Sequence, residues 1–80
     1  MTVFDVLLTG ADEKGRFNAI YRAMSFDDAS AITLCRASAA LADYAVLDAA
    51  IHARDLPLPE GPTEFPRVLS HGQREYISLN

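Results

Sequence analysis

One stretch of this sequence constrains its fold more than any other: from Ser25 to Asp55 it contains neither glycine nor proline. A helix start signal opens the stretch, because Ser25 can cap a helix and Asp28, three residues later, completes a capping box. Acidic side chains there also suit the positive end of a helix. Alanine, the strongest helix former, recurs through the rest of the stretch. The sequence therefore predicts a helical segment at the centre of the molecule.

This helical segment carries no continuous apolar stripe. Ile32 and Cys35 belong to one seam, and Leu47 and Ile51 belong to another. At about 100° per residue the two seams do not coincide on a straight helix. The sequence therefore predicts either one helix that bends near residues 38–42 or two helices that meet there.

Before this segment the sequence predicts a β-hairpin. Residues 2–9 alternate as in a strand with most of its side chains buried, and residues 10–15 have turn chemistry with a glycine at each end. Residues 16–24 have two interpretations: they fit a strand, and their apolar side chains also align on one face of a helix. The preceding turn favours the strand.

After the central segment, four prolines between Leu56 and Pro66 exclude a helix and predict an extended loop. Residues 67–80 predict a strand or a hairpin, with alternation at residues 76–79. The predicted fold class is therefore α+β, in a single compact domain over residues 1–80. Its elements are an N-terminal β-hairpin, the helical segment, the proline loop and a C-terminal strand or hairpin that joins an antiparallel sheet.

The charge of the chain limits its partners. The net charge is −4, from eleven acidic and seven basic side chains. A nucleic-acid-binding surface needs lysine and arginine gathered on one face to neutralise phosphates. We therefore expect no direct contact with nucleic acid, and instead a protein partner with a basic surface.

The composition also indicates where the protein works. Its single cysteine, Cys35, can form no internal disulfide, which fits the reducing cytoplasm. The first residues lack the basic region of a signal peptide, and no stretch reaches the roughly 20 apolar residues of a membrane span. We expect a cytoplasmic protein that does not contact a membrane.

No pattern in the sequence is specific to catalysis, a cofactor or a metal. Asp48, His52 and Asp55 would share one helix face, which can hold a divalent metal or orient an imidazole, with His71 as the other histidine. A weak ion pair on a solvated helix face explains the same spacing without any chemistry. The sequence therefore favours a protein with no enzymatic activity.

The candidate binding residues are carboxylates that a rigid frame would present to a basic groove. They are Asp12, Glu13, Asp27, Asp28, Asp43, Asp48 and Asp55. The last strand is a second candidate surface, because an edge strand at residues 75–79, with Tyr76, can pair with a strand of a partner or of a second copy. A homodimer that packs through the alanine-rich helices or this strand is the alternative function.

A resemblance to known proteins makes the first function more concrete. A hairpin whose second strand runs into Ala23, Ser25 and Ala29 is similar to the plan of small phage-encoded proteins that include anti-CRISPR inhibitors. The resemblance covers residues 2–38, together with the size and the mild acidity. It implies a non-enzymatic inhibitor that occupies the nucleic-acid-binding surface of a larger complex, and it carries over no site residues.

A second resemblance implies a different fold. Residues 4–8, and residues 24–29 where they lead into a helix, resemble the C-terminal domain of the ribosomal stalk protein and the protease adaptor that shares its fold. This resemblance covers at most half of the chain. It implies a helix, rather than a strand, over residues 16–24.

Overall fold

A mixed α+β fold dominated by an antiparallel sheet is seen in a computed structural model, which describes residues 1–77. The elements are β1 (Thr2–Asp12), β2 (Gly15–Ser25), α1 (Asp28–Ala39), β3 (Ala45–Leu56), β4 (Arg67–His71) and β5 (Glu75–Tyr76). The strand order is β3–β1–β2–β4, and β5 also pairs with β2. The N-terminal hairpin thus forms the middle of the sheet.

The predicted hairpin is confirmed. Strands β1 and β2 pair without interruption, from Thr2 opposite Ser25 to Asp12 opposite Gly15. At the turn, the Lys14 amide donates to Asp12 Oδ1 at 2.8 Å, and Gly15 takes a φ of 121°, which glycine adopts without strain. Residues 16–24 are therefore a strand, and the helix that the second resemblance implied there does not form.

The helix begins two residues later than the sequence predicted. Asp27, not Ser25, is the cap: its side chain accepts from the Ser30 amide at 2.8 Å, and the Asp27 amide donates to Ser30 Oγ at 3.2 Å. Ser25 is instead the last residue of β2, where it pairs opposite Thr2. Strand pairing therefore decides which of two good capping residues starts the helix.

The larger correction concerns residues 45–56, which form strand β3 and not a helix. The predicted helical segment, kinked or double, is therefore wrong beyond Ala39. The free edge of β1 offers a complete set of backbone hydrogen-bond partners, and Val46, Ala49 and Ile51 pack against the core from β3. Pairing and burial of this kind outweigh the helix propensity of alanine, which is a weak preference.

The C-terminal segment forms two short strands that both pair with β2, so they are not a hairpin. His71 lies opposite Tyr21, and Glu75 lies opposite Asn18. Four residue steps on the edge thus face three on β2, so residues 72–74, between the two strands, contain one extra residue and form a bulge. A separate register shift lies at Leu69, because Ser70 is opposite Arg22 and Val68 is opposite Ala23. Residues 78 and 79, which the sequence placed in the last strand, lie outside the described residues.

The core lies between α1 and one face of the sheet. It consists of Phe4, Val6, Leu8, Phe17, Ala19, Tyr21, Ala23, Ala31, Cys35 and Ala39. Cys35 is fully buried, and burial raises the pKa of its thiol to about 11, so at neutral pH it is a small uncharged core side chain.

The opposite face of the sheet, which carries Leu7, Thr9, Asn18 and Ile20 along β1 and β2, is here called the open face. No helix within residues 1–77 packs on it. The proline loop, residues 57–66, joins the β3 edge to the β4 edge and crosses the sheet at one end only. Most of the open face is therefore left uncovered by the described chain.

Candidate functional site

Two of the predicted binding carboxylates hold the start of the helix. Asp27 is the cap, and the hydrogen bonds from the Ser30 amide and hydroxyl lower the pKa of its carboxyl group. Asp28 lies 2.8 Å from the guanidinium of Arg54 on β3, with both side chains about half exposed. An exposed pair of this kind contributes little to stability. The Asp27 carboxylate thus caps the helix, and the half-exposed Asp28 carboxylate pairs with Arg54 at the surface.

Three further predicted residues meet at Arg74, which the sequence did not single out. Arg74 Nη1 lies 2.5 Å from Asp12 Oδ2, and Arg74 Nη2 lies 2.5 Å from Asp43 Oδ1. The Tyr76 hydroxyl also donates to Asp12, whose side chain is only 5% exposed. We call these four residues the Arg74 cluster. It joins the hairpin turn, the segment after α1 and the edge strand, so it serves the fold.

The Arg74 cluster predicts a loss of stability in acid. The Tyr76 hydroxyl, the Lys14 amide and Arg74 lower the pKa of Asp12, and Arg74 lowers that of Asp43. A carboxyl group with a lowered pKa stabilises the folded state fully above its unfolded pKa, near 3.8, and loses that effect as the pH falls through the folded value. We expect the free energy of unfolding, measured with urea, to fall steeply below about pH 4.

The matched variant for this prediction is Asp12→Asn combined with Asp43→Asn. It should be less stable than the wild type at pH 7 and should show a shallower dependence on pH between about 4 and 2. An unchanged slope would mean that other carboxylates cause the acid sensitivity.

The open face carries a polar row whose order follows from the strand register. Asp48 lies opposite Thr9, Thr9 opposite Asn18, and Asn18 opposite Glu75. In the middle of the row, Thr9 Oγ1 donates to Asn18 Oδ1 at 3.2 Å. The ion pairs found within residues 1–77 involve neither Asp48 nor Glu75. Each end of the polar row is therefore a carboxylate that forms no ion pair within residues 1–77.

An apolar row lies beside the polar one. Ala50 is opposite Leu7, and Leu7 is opposite Ile20, whose side chain is 37% exposed. A depression of about 320 Å³ adjoins these residues, and its lining includes His52 and Glu75. The open face thus combines exposed apolar area with two free carboxylates, which the sequence alone did not bring together.

The helix face proposed for Asp48, His52 and Asp55 does not exist, because all three lie on strand β3. Residues four apart on a strand are roughly 13 Å apart, so Asp48 and His52 cannot share one metal ion. Asp55 has a φ of 57°, in the left-handed region that aspartate tolerates better than most residues. Within residues 1–77, no group of three His, Cys, Asp or Glu side chains is placed to hold a metal.

The remaining predicted residue, Glu13, is exposed at the tip of the hairpin turn. It lies beyond the β1 and β2 pairing and is separate from the polar row. The predicted carboxylates therefore do not form one surface. They divide into the helix start, the Arg74 cluster, the hairpin tip and strand β3.

In three comparisons with known proteins, no family model, no curated protein and no solved structure matches this chain. The helix in the described part of the chain is too short to cross a membrane.

Proposed function

We propose that this protein is a non-enzymatic binding protein that covers a basic surface of a larger protein partner with its open face. The observation that carries the proposal is the polar row, in which Asp48 and Glu75 have no cation partner within residues 1–77. Beside it, Leu7 and Ile20 supply apolar area. Apolar contacts provide most of the burial in an interface, and charges at its rim direct the approach of the partner.

The most concrete form of the proposal is that the partner is a cytoplasmic nucleic-acid-binding complex and that this protein is its inhibitor, as the anti-CRISPR resemblance implies. The polar row spans four strands, β3, β1, β2 and β5, so three inter-strand spacings of about 4.8 Å place the two carboxylates roughly 14 Å apart. They can therefore contact two separate cations of a phosphate-binding groove. The net charge of −4 favours the approach to such a groove over long distances.

The experiment compares two variants with equal net charge. Asp48→Lys combined with Glu75→Lys reverses the ends of the polar row, and Glu60→Lys combined with Glu64→Lys makes the same charge change on the proline loop. Each protein is immobilised and exposed to a nuclease-treated bacterial lysate. We expect the wild type and the loop variant to retain the same partner and the row variant to lose it, because only the row variant alters the open face.

Two further measurements test the electrostatic part of the proposal. Binding of the captured partner should weaken steeply between about 50 and 200 mM salt, and a short DNA or RNA duplex should displace the protein. Equal capture by both variants, or binding that salt leaves unchanged, would refute the proposal. If light scattering instead shows a dimer that Ile20→Asp dissociates, the open face binds a second copy and the alternative function is supported.

A further inference from the structure

A second cavity, of about 400 Å³, lies on the other face of the sheet, between the end of α1 and the edge strand. We call it the helix-side cavity. Its floor is Ala19, which stands between the large side chains of Phe17 and Tyr21 along the inward side of β2. Because the side chain of Ala19 is small, it leaves the space that forms the cavity. Its volume falls within the range of about 300–1,000 Å³ that small-molecule sites occupy.

The β-bulge in the edge strand builds one wall of this cavity. His71 and Arg74 are three residues apart, so on a regular strand they would face opposite sides of the sheet. The extra residue brings both side chains to the cavity. At Gly72 a Cβ would lie 2.9 Å from the Ile20 carbonyl oxygen, and the Gly72 amide donates to that oxygen at 2.7 Å. The bulge therefore depends on glycine.

Flat aromatic surfaces form the other walls. The rings of Tyr21 and His71 have centroids 5.3 Å apart, and the hydroxyl oxygens of Tyr21 and Tyr44 are 2.7 Å apart. Since one hydroxyl donates to the other, the second keeps a proton for a ligand. Burial raises the pKa of Tyr44, so its hydroxyl stays protonated and neutral at physiological pH. The walls thus offer one exposed stacking surface, the His71 ring, and a hydrogen-bond donor from the tyrosine hydroxyl pair.

The charge of the cavity selects against anions. The Arg74 guanidinium lies 4.6 Å from the centroid of the Tyr44 ring and also lines the cavity. Its positive charge is already compensated by Asp12 and Asp43, so the cluster has a net charge of −1 and still offers N–H groups. Leu41, at the rim, is 91% exposed, and a bound ring would cover it.

We infer that the helix-side cavity binds a neutral planar ring with hydrogen-bond acceptors on its edge, of the size of a nucleobase or a benzamide. The exposed ring of His71 would stack on the bound ring, the Tyr21–Tyr44 hydroxyl pair would donate to its edge, and Arg74 would donate to its acceptors. This site lies on the opposite side of the sheet from the open face. The inference is therefore independent of the proposed function.

The test is an NMR titration of the amide resonances with adenine, uracil and benzamide, and with benzoate as the anionic match of benzamide. We expect at least one neutral ring to shift the Leu41, Ala42 and Gly72 amides saturably, with a Kd in the millimolar range or tighter. Benzoate should bind at least about tenfold more weakly than benzamide, because the Arg74 cluster is already net negative. The ring that binds best distinguishes a nucleobase ligand from an aromatic amide.

Two alanine-to-leucine variants locate the site. Ala19→Leu fills the floor of the helix-side cavity and should weaken binding of the same ring at least about tenfold. Ala50→Leu, on the exposed side of the sheet, should leave it unchanged. Thermal unfolding of Ala19→Leu first shows that the variant is folded. The inference is overturned if no neutral ring saturates these shifts below about 10 mM, if Ala19→Leu binds as well as the wild type, or if benzoate binds more tightly than benzamide.

Discussion

Replacing Phe17 with alanine should cost about 3–5 kcal/mol of the free energy of unfolding, a large part of what a domain of this size has. Phe17 is fully buried near the hairpin-turn end of β2. Its ring contacts the rings of Tyr44 and Tyr76 edge-on, with centroids 4.8 and 5.5 Å away, and the Arg74 guanidinium lies 5.1 Å from its centroid. The substitution therefore leaves a cavity and also removes the support of the Arg74 cluster.

Urea unfolding followed by circular dichroism measures this effect. The matched control is Phe26→Ala, because Phe26 is 68% exposed just before the helix, and its loss should change stability by no more than about 0.5 kcal/mol. If the two variants were equally stable, the core would not be organised around Phe17.

Replacing Gly10 with alanine, which adds a methyl group, should lower the free energy of unfolding by about 1–3 kcal/mol. This is the second large effect that we expect. A Cβ there would lie 2.8 Å from Phe17 Cζ, 2.9 Å from Tyr44 Cδ2 and 3.0 Å from the Ala45 carbonyl oxygen. The two rings are held by each other and the carbonyl belongs to the β1–β3 pairing, so none of them can withdraw cheaply. We expect Gly10→Ala to fold with a clearly lower midpoint of urea unfolding.

The Phe17→Leu variant tests whether the Phe17 ring causes this loss of stability. Leucine at position 17 lacks the Cζ atom that the new methyl group meets, so Gly10→Ala should cost less in Phe17→Leu than in the wild type. Equal costs in the two backgrounds would show that the Phe17 ring is not what the methyl group strains against.

The sequence predicts that Gly10 belongs to a turn, and nothing in the sequence predicts the cost of adding a methyl group there. In the structure Gly10 lies inside β1 opposite Phe17, two residues before the end of the strand. Its role is to let two aromatic rings approach the backbone. That requirement depends on Tyr44, which is distant in the sequence and directly precedes Ala45, the residue of β3 that lies opposite Ala11 of β1.

The candidate sites likewise depend on contacts between residues that are distant in the sequence. Asp12 was recognised as a charged turn residue, but its partners Arg74 and Tyr76 are 62 and 64 positions away. For Asp48 the sequence predicts a helix face shared with His52, whereas its position at the end of a polar row follows from the strand register with Thr9. The sequence identified charged groups correctly, and it could not tell which of them neutralise one another.

The sequence by itself determined the hairpin, the helix start to within two residues and the absence of helix in the proline loop, because each follows from signals within a few neighbouring residues. Only the tertiary structure decided that residues 45–56 form a strand, that the edge carries a bulge and that Arg74 gathers two carboxylates. The physical reason is that strand pairing and ion pairing depend on partners far away in the chain. The gain from pairing β3 with most of the free edge of β1 exceeds the small local preference of alanine for a helix.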